Sequence, residues 1–392
     1  MAGCLWSWGS DVYGRLGLGT EDQHHARPTE VKAFSSVELA AATCGSAHNI
    51  VVDTDGQCYS WGKCHFGQLG HGEMDRNELV PRPIEALKGV RITAVAAGDS
   101  HAIAITPAGL VYTWGVGFYG CLGHGDESSV AIPKLVDKLR DERIVSASGG
   151  AFHTLAVTDD GRLFVWGRDH CGQLGQKPME MPNYAMGGKG TKLVHLNQKV
   201  PVELKIPSSC KMVSACDDHS LVLLDNHNVL SFGANDHGQL GREMVSNDIV
   251  HFLINPTHFQ NSSSEVEKVV FIEAGWHHSA AITESGLLFT WGEGRHGQLG
   301  LGHTRGSRVP SLVNKFPNGK SPTFATVSCG DSFTVAMTTT GELWTFGSPD
   351  YGKLGVDSGG CMTSPKQLQA ELPGINGLCC GTNHTIAYNL IK

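Results

Sequence analysis

The sequence predicts an all-β chain folded as a seven-bladed β-propeller of four-stranded blades, its ring closed by N-terminal strands that complete the last blade. Three observations carry that expectation. An aromatic residue followed by glycine recurs seven times, at Trp8, Trp61, Trp114, Trp166, Phe232, Trp291 and Phe346, with separations of 53, 53, 52, 66, 59 and 55 residues. A glycine follows six residues after each aromatic, and a Leu-Gly pair begins eight after it, from Leu16-Gly17 through Leu354-Gly355. A histidine stands thirteen residues before the aromatic at His48, His101, His153, His219 and His278, with Phe333 in the sixth place. Spacing that is fixed within a unit and drifts between units marks a structural repeat.

Each element of the unit follows from local composition. In the second complete unit, HAIAIT and LVYTWG are short runs rich in apolar and β-branched residues, joined by the turn PAG, which is a hairpin signal. VAIPKLV and RIVSAS supply two more extended pieces, so each unit holds the four strands of a propeller blade. Small residues crowd the segment before each histidine (AAATCGSAH, AVAAGDSH, SASGGAFH), as expected where blades converge on the axis and backbones approach closely. The aromatic is expected to fill the wedge between neighbouring blades. The final unit, CCGTNHTIAYNLIK, stops where its turn glycine would fall, while Gly3 precedes Trp8 by five residues as Gly56 precedes Trp61. The two ends are therefore expected to meet in one sheet, because a ring that leaves no exposed strand edge must close.

Composition bounds the function. The chain has 392 residues, 40% hydrophobic and 17% charged, with 50 glycines and a net charge of -8. One propeller domain over residues 1–392 is expected, with insertion loops at about 176–200 and 243–268. No run approaches the ~20 apolar residues that span a bilayer, and no signal-like start is present, so no membrane association is expected and a cytoplasmic or nuclear location is. The acidic balance makes direct nucleic-acid binding unlikely to arise from bulk charge. The twelve cysteines lack paired C-x-x-C spacing and read as reduced thiols, with no metal site and no cofactor expected.

The motif W-G-x-x-x-x-G-x-L-G with G-x-x-H, repeated over essentially the whole chain, resembles the regulator-of-chromosome-condensation family of propellers. That resemblance implies the seven-bladed fold but not one function. Members include an exchange factor for the small GTPase Ran, a plant ultraviolet-B receptor, partner-binding domains of ubiquitin ligases and ciliary proteins. For the exchange factor, the resemblance implies a face built from an Asp in G-D-S-H, an Asp before the next blade's histidine, and the first His of G-x-H-H. Asp99 and His277 match, but the middle position is Phe152, with Asp218 offering a carboxylate one blade on. WGVGFYGCLG has no added residues where the exchange factor carries a short wedge hairpin, while the long unit after Trp166 does match an extended loop of that protein. For the light receptor, only GWHHS at Trp276 is related, and it lacks the arginine.

No nucleophile, base and orienter are grouped as hydrolysis requires. The recurring histidines read as hydrogen-bonding groups inside each blade, and Cys44, Cys216, Cys329 and Cys380 as inner-strand residues. Function is therefore expected in the loops: Asp99, Asp217, Asp218, His277, His278 and Asp331 around the axis, and Met179, Met181, Tyr184, Met186, Lys189 and Lys192 in the first insertion, while Phe252, Leu253 and Phe259 in the second are open to burial by the blade or to contact with a partner. The expectation is a non-enzymatic platform for a protein partner, such as a small GTPase or a basic protein like a histone. A nucleotide exchange factor and a recruiting subunit of a ubiquitin-ligase assembly stay open beside it.

Overall fold

Seven four-stranded antiparallel sheets follow one another around an axis in the computed structural model, which describes residues 4–182, 191–243, 252–317 and 319–391. Blades 1 to 6 take residues 39–83, 94–135, 144–204, 210–253, 269–312 and 324–367. Blade 7 joins both ends of the chain: inner strands Gly377–Cys380 and His384–Tyr388, outer strands Leu5–Gly9 and His25–Glu30. Leu5–Gly9 pairs in full register with His384–Tyr388, from Leu5 opposite Tyr388 to Gly9 opposite His384. The expected closure is thus observed.

The repeated aromatics do fill the space between blades, and all seven are fully buried. Their second role is polar. Each indole Nε1 donates to the carbonyl of the residue preceding Leu-Gly in the adjacent blade: Trp61 to Arg15 (3.1 Å), Trp114 to Gln68 (2.9 Å), Trp166 to Cys121 (2.8 Å), Trp291 to Gln239 (2.8 Å) and Trp8 to Lys353 (3.1 Å). The glycine of Leu-Gly lies beneath that ring. A Cβ on Gly17 would sit 2.7 Å from the Trp61 Nε1, and its φ of +71° is itself a glycine conformation.

The recurring histidines correct the sequence reading, because their partners lie in the next blade and not in their own. His101 Nε2 meets Thr154 Oγ1 at 3.0 Å, His153 meets Ser220 at 2.8 Å, His219 meets Ser279 at 3.0 Å, and His278 meets Thr334 at 2.9 Å. His384 continues the series onto Asn49 Oδ1 at 2.8 Å. Each hydroxyl in turn donates to the carbonyl that precedes Leu-Gly, as Thr154 does to Cys121 (2.9 Å) and Ser220 to Gln173 (2.9 Å). Since the hydroxyl proton goes to the carbonyl, the imidazole must carry its proton on Nε2. A directional belt of hydrogen bonds therefore stitches blade to blade around the ring.

The belt has two gaps, at Phe333, which has no imidazole to offer Thr385, and at Ala102, the one position of the acceptor series without a side-chain polar atom. His48 Nε2 is left buried without a partner, and the Gln68 carbonyl keeps only the Trp114 indole. Ala102→Ser would place one oxygen between both groups. We expect it to raise unfolding stability by about 1–2 kcal/mol, the net worth of one or two buried hydrogen bonds. Denaturant unfolding of the two proteins, with no gain observed, would contradict the belt.

Candidate functional site

The loops that precede the histidines and those that follow each aromatic-Gly lie at one end of the blades, the upper face. The pairing requires this, since Gly62, Gly115 and Gly167 stand opposite His48, His101 and His153 at the same sheet ends. An axial cavity of about 350 Å³ opens among the inner strands, lined by Asp99, Ser148, Cys216, Glu273, Trp276 and Cys380 among others.

Four of the expected face residues gather around the mouth of this cavity. Asp217 and Asp218 follow the inner strand Cys210–Cys216 of blade 4, where Asp217 takes a positive φ of 48°. Asp217 reaches His277 Nδ1 at 3.6 Å, and Asp218 binds Gln173 Nε2 at 2.6 Å and Arg168 at 3.4 Å. Asp99 is recessed beside them; burial, then the charges of Asp217 and Asp218, push its carboxyl up to about 7. The Asp217 carboxyl rises to about 6, by burial and then Asp218, with His277 and Arg168 opposing. Asp331 lies on the same face, raised by burial and countered by the buried ammonium of Lys353. That ammonium donates to Ser332 Oγ and Asn383 Oδ1 at 3.0 and 2.8 Å. His278 does not belong with them. It opens the strand His278–Thr283 and is fully buried in the belt, whereas His277 lies in the bend before that strand and stays on the face.

A second set of residues on this face was not anticipated. An unbroken series of ring contacts runs from His65 to Phe66 (4.8 Å), Phe66 to Phe118 (5.4 Å), Phe118 to Phe152 (6.3 Å) and Phe152 to Tyr119 (5.4 Å). Arg168 then covers the Tyr119 ring at 5.3 Å while pairing with Asp218. Beyond Asp217 the series continues through His277, the His237 ring at 4.7 Å, Glu293 and Arg295. One arc thus crosses five blades, aromatic at one end and charged at the other.

The signal for it stands in the sequence, in the residue just before the fixed glycine of each unit: Tyr13, Phe66, Tyr119, Cys171, His237, His296 and Tyr351. Three of these tyrosines carry left-handed backbone, with φ of 67°, 59° and 63° at Tyr13, Tyr119 and Tyr351. A bulky residue in that region costs on the order of 1 kcal/mol or more. All three are nevertheless solvent-exposed, at 36%, 37% and 49%, and neighbouring Phe118 at 44%. Packing of the propeller does not require them there.

The first insertion, expected as a loop, contains a hairpin. Met179–Pro182 pairs with Thr191–Val194, Met179 opposite Val194 and Met181 opposite Lys192. It rises from the upper face, because blade 3 pauses there between Gly167 and Gln198. Met179 and Leu193 point to opposite sides of the hairpin and both are exposed, so it stands clear of the blade on both sides. Short strands interrupted by Pro182 gave no alternation to read. Tyr184, Met186 and Lys189 lie outside the described residues. Of the second insertion, residue 243 and residues 252–268 are described. Of the two outcomes open for Phe259, the blade takes it: the ring is buried against Phe289 and Trp291 at 5.4 and 6.0 Å. Phe252 lies under Arg242, and Leu253 is exposed.

Among the described residues no group of three or more His, Cys, Asp or Glu side chains is placed to hold a metal ion. The face presents charge and aromatic area, without a nucleophile activated by a base.

Three comparisons bear on the fold and its use. The family model described as "RCC1-like domain" matches residues 4–387. The ultraviolet-B receptor UVR8 of Arabidopsis thaliana is 32% identical over 375 residues, covering 95% of this chain and 79% of that protein. The mouse E3 ubiquitin-protein ligase HERC2 is 34% identical over 86% of this chain, which spans only 6% of the ligase. Among solved structures, Prp20p of Saccharomyces cerevisiae, described with its binding to Gsp1p and histones, superposes with a TM-score of 0.79 at 20% identity, covering 100% of this chain and 92% of that one.

Proposed function

The chain belongs to the RCC1-like family of β-propellers, and from that premise we propose that it is a non-enzymatic platform that docks a protein partner on its upper face, along the arc from Phe66 to Arg295. The observation that carries this is the exposed ring of Tyr119, held on left-handed backbone in the middle of the arc, with the same feature repeated beside it on the upper face at Tyr13 of blade 7 and Tyr351 of blade 6. Strain retained at exposed positions with no packing role is a mark of function. The arc suits a partner that offers apolar side chains to Phe118, Phe152 and Tyr119, and basic groups to Asp99, Asp217 and Asp218. A small GTPase or a histone has that chemistry, and the fold neighbour Prp20p is described with both kinds of partner. The hairpin with Met179 rises beside the arc and would add a second contact.

The double variant Phe118→Ser with Tyr119→Asn tests the proposal. Asparagine tolerates the left-handed backbone, so the thermal midpoint should hold or rise slightly. Binding to a panel of immobilised GTPases and core histones should fall at least about tenfold, as for removal of interface hot spots. Unchanged binding to whichever panel member the parent captures would overturn the arc as the docking site.

Exchange activity is a second reading, favoured by Asp99 and His277 standing at the face positions that the resemblance assigns to exchange. Against it, Phe152 replaces the middle carboxylate and packs into the ring series. Release of labelled GDP from the same GTPases, slowed by Asp99→Ala or His277→Ala, would support it. The similarity to HERC2 leaves a recruiting role in a ligase assembly compatible with the same docking face. Light reception is not proposed, because GWHHS offers Trp276 with no arginine beside it.

A further inference from the structure

We propose that Cys44 and Cys379 are an oxidation site whose reversible disulfide turns the hydrogen-bonded closure of the ring into a covalent one. Cys44 ends the inner strand Leu39–Cys44 of blade 1, and Cys379 lies in the inner strand Gly377–Cys380 of blade 7. Their Sγ atoms stand 2.9 Å apart, inside van der Waals contact for two sulfurs. A bond of about 2.05 Å needs roughly 1 Å of further approach. Both thiols are free and partly exposed, and both line the axial cavity, which has room for an oxidant the size of hydrogen peroxide. The next cysteine along, Cys380, is directed elsewhere, to the Ser328 carbonyl and the Thr385 hydroxyl.

The place of the pair gives the bond its consequence. The ring is completed by non-covalent contacts alone among the described residues, chief among them the backbone pairing between Leu5–Gly9 and His384–Tyr388. A bond from Cys44 to Cys379 would enclose residues 44–379, and so blades 1 to 6 almost whole, in one covalent loop. Unzipping of blade 7 would then no longer open the ring.

The chemistry balances with hydrogen peroxide as oxidant. Burial raises the Cys379 thiol well above its usual range, so it serves as the resolving thiol, and the Cys44 sulfur, at the end of its strand on the cavity wall, meets the peroxide. The Cys44 sulfur attacks one peroxide oxygen and becomes a sulfenic acid, and the other oxygen leaves as water. The Cys379 sulfur then attacks the sulfenic sulfur, the S–S bond forms, and the displaced hydroxyl leaves with the Cys379 proton as a second water. Two thiols lose two electrons and two protons, and one peroxide accepts them. A dithiol reductant reverses the step.

The test uses the full chain. It is treated with hydrogen peroxide under native conditions, alkylated, digested without reductant and analysed for linked peptides, with the exposed thiol of Cys361 as a measure of oxidant exposure. The expected result is a peptide linking Cys44 to Cys379 at doses that oxidise Cys361, and a thermal midpoint raised by about 3–6 °C and restored by dithiothreitol. Cys44→Ser should abolish both. Absence of that linkage while Cys361 is oxidised would overturn the proposal in the parent protein, whether or not the variant folds. A linkage with no rise in midpoint would overturn its role in closure.

Discussion

Removing residues 1–30 is expected to abolish cooperative unfolding of the propeller, the largest effect foreseen for any change to this chain. That segment supplies two of the four strands of blade 7, and with them Leu5, Trp6 and Trp8, all buried. Their burial alone is worth roughly 6–9 kcal/mol, comparable with the entire stability of an ordinary domain. The loss reaches further than those side chains. The strand His384–Tyr388 would become an unpaired edge, and the pocket around Leu354 and Leu368 of blade 6, which packs on Trp8, would open to water. Because each blade covers its neighbour's apolar face, one missing half-blade leaves two faces uncovered. Circular dichroism on heating should show a broad, weak transition for the truncated chain. A sharp transition within a few degrees of the full chain would mean that closure contributes little.

Acidification is expected to unfold the protein through the histidine belt. Burial lowers His48, His153, His219 and His278 to about 3 and His101 to about 4, and holds His384 well below its usual range. The unfolded chain titrates these groups near 6.5. Between that value and about 3–4 it binds protons that the folded ring refuses, so the stability they confer is complete above about pH 6.5 and lost as pH falls. Six carboxyls act in the opposite sense, Asp11 and Asp331 among them. Burial raises Asp99 and Glu273 to about 7 and Asp169 and Asp217 to about 6, so their contribution is fully present in acid and lost as pH rises through 6–7. With His71, His124 and His237 also lowered, nine imidazoles outnumber the six raised carboxyls, so the unfolded chain takes up net protons on the acid side. Stability should therefore peak near neutrality and fall on the acid side.

A single substitution isolates the histidine share. His48 has no partner on Nε2, and blade 6 already holds Phe333 at the equivalent position with the same close approach to glycine, Gly330 there and Gly45 here. His48→Phe should be nearly neutral at pH 7.5. At pH 5.5 it should be more stable than the parent, with the acid slope reduced by about 1.4 kcal/mol per pH unit, one proton's worth. Urea midpoints at the two pH values decide it, and parallel shifts at both would contradict the assignment.

The repeat, the blade count, the four strands and the closure by the N-terminal strand were legible because they rest on local composition at fixed spacing. What the repeated histidine does was not legible, because its partner is a hydroxyl in the next blade, some 53 to 67 residues away. The same distance hid the orphaned His48, which depends on Ala102 being the one residue of its series without a polar atom. The placement of Asp99, Asp217, Asp218, His277 and Asp331 on one face could be read in advance because the loops before the histidines are located by the motif. The aromatic arc was missed although its residues sit at a fixed offset, since a tyrosine before glycine in a turn reads as packing until its exposure and left-handed backbone are seen. His278 was misplaced because G-x-H-H puts two imidazoles side by side in sequence, while the first lies in the bend on the face and the second begins the buried strand.

The central claim is that the upper face is the docking surface, and site-directed photo-crosslinking tests it most directly. A photoreactive amino acid at position 118, in the arc, is compared with one at position 88, exposed at the opposite end of the propeller. Each chain is irradiated in extract from the source cells. The account predicts a discrete adduct from position 118, suppressed by Tyr119→Asn, and none from position 88. The same adduct from position 88, or from neither position while an unmodified chain still captures its partner, would contradict it.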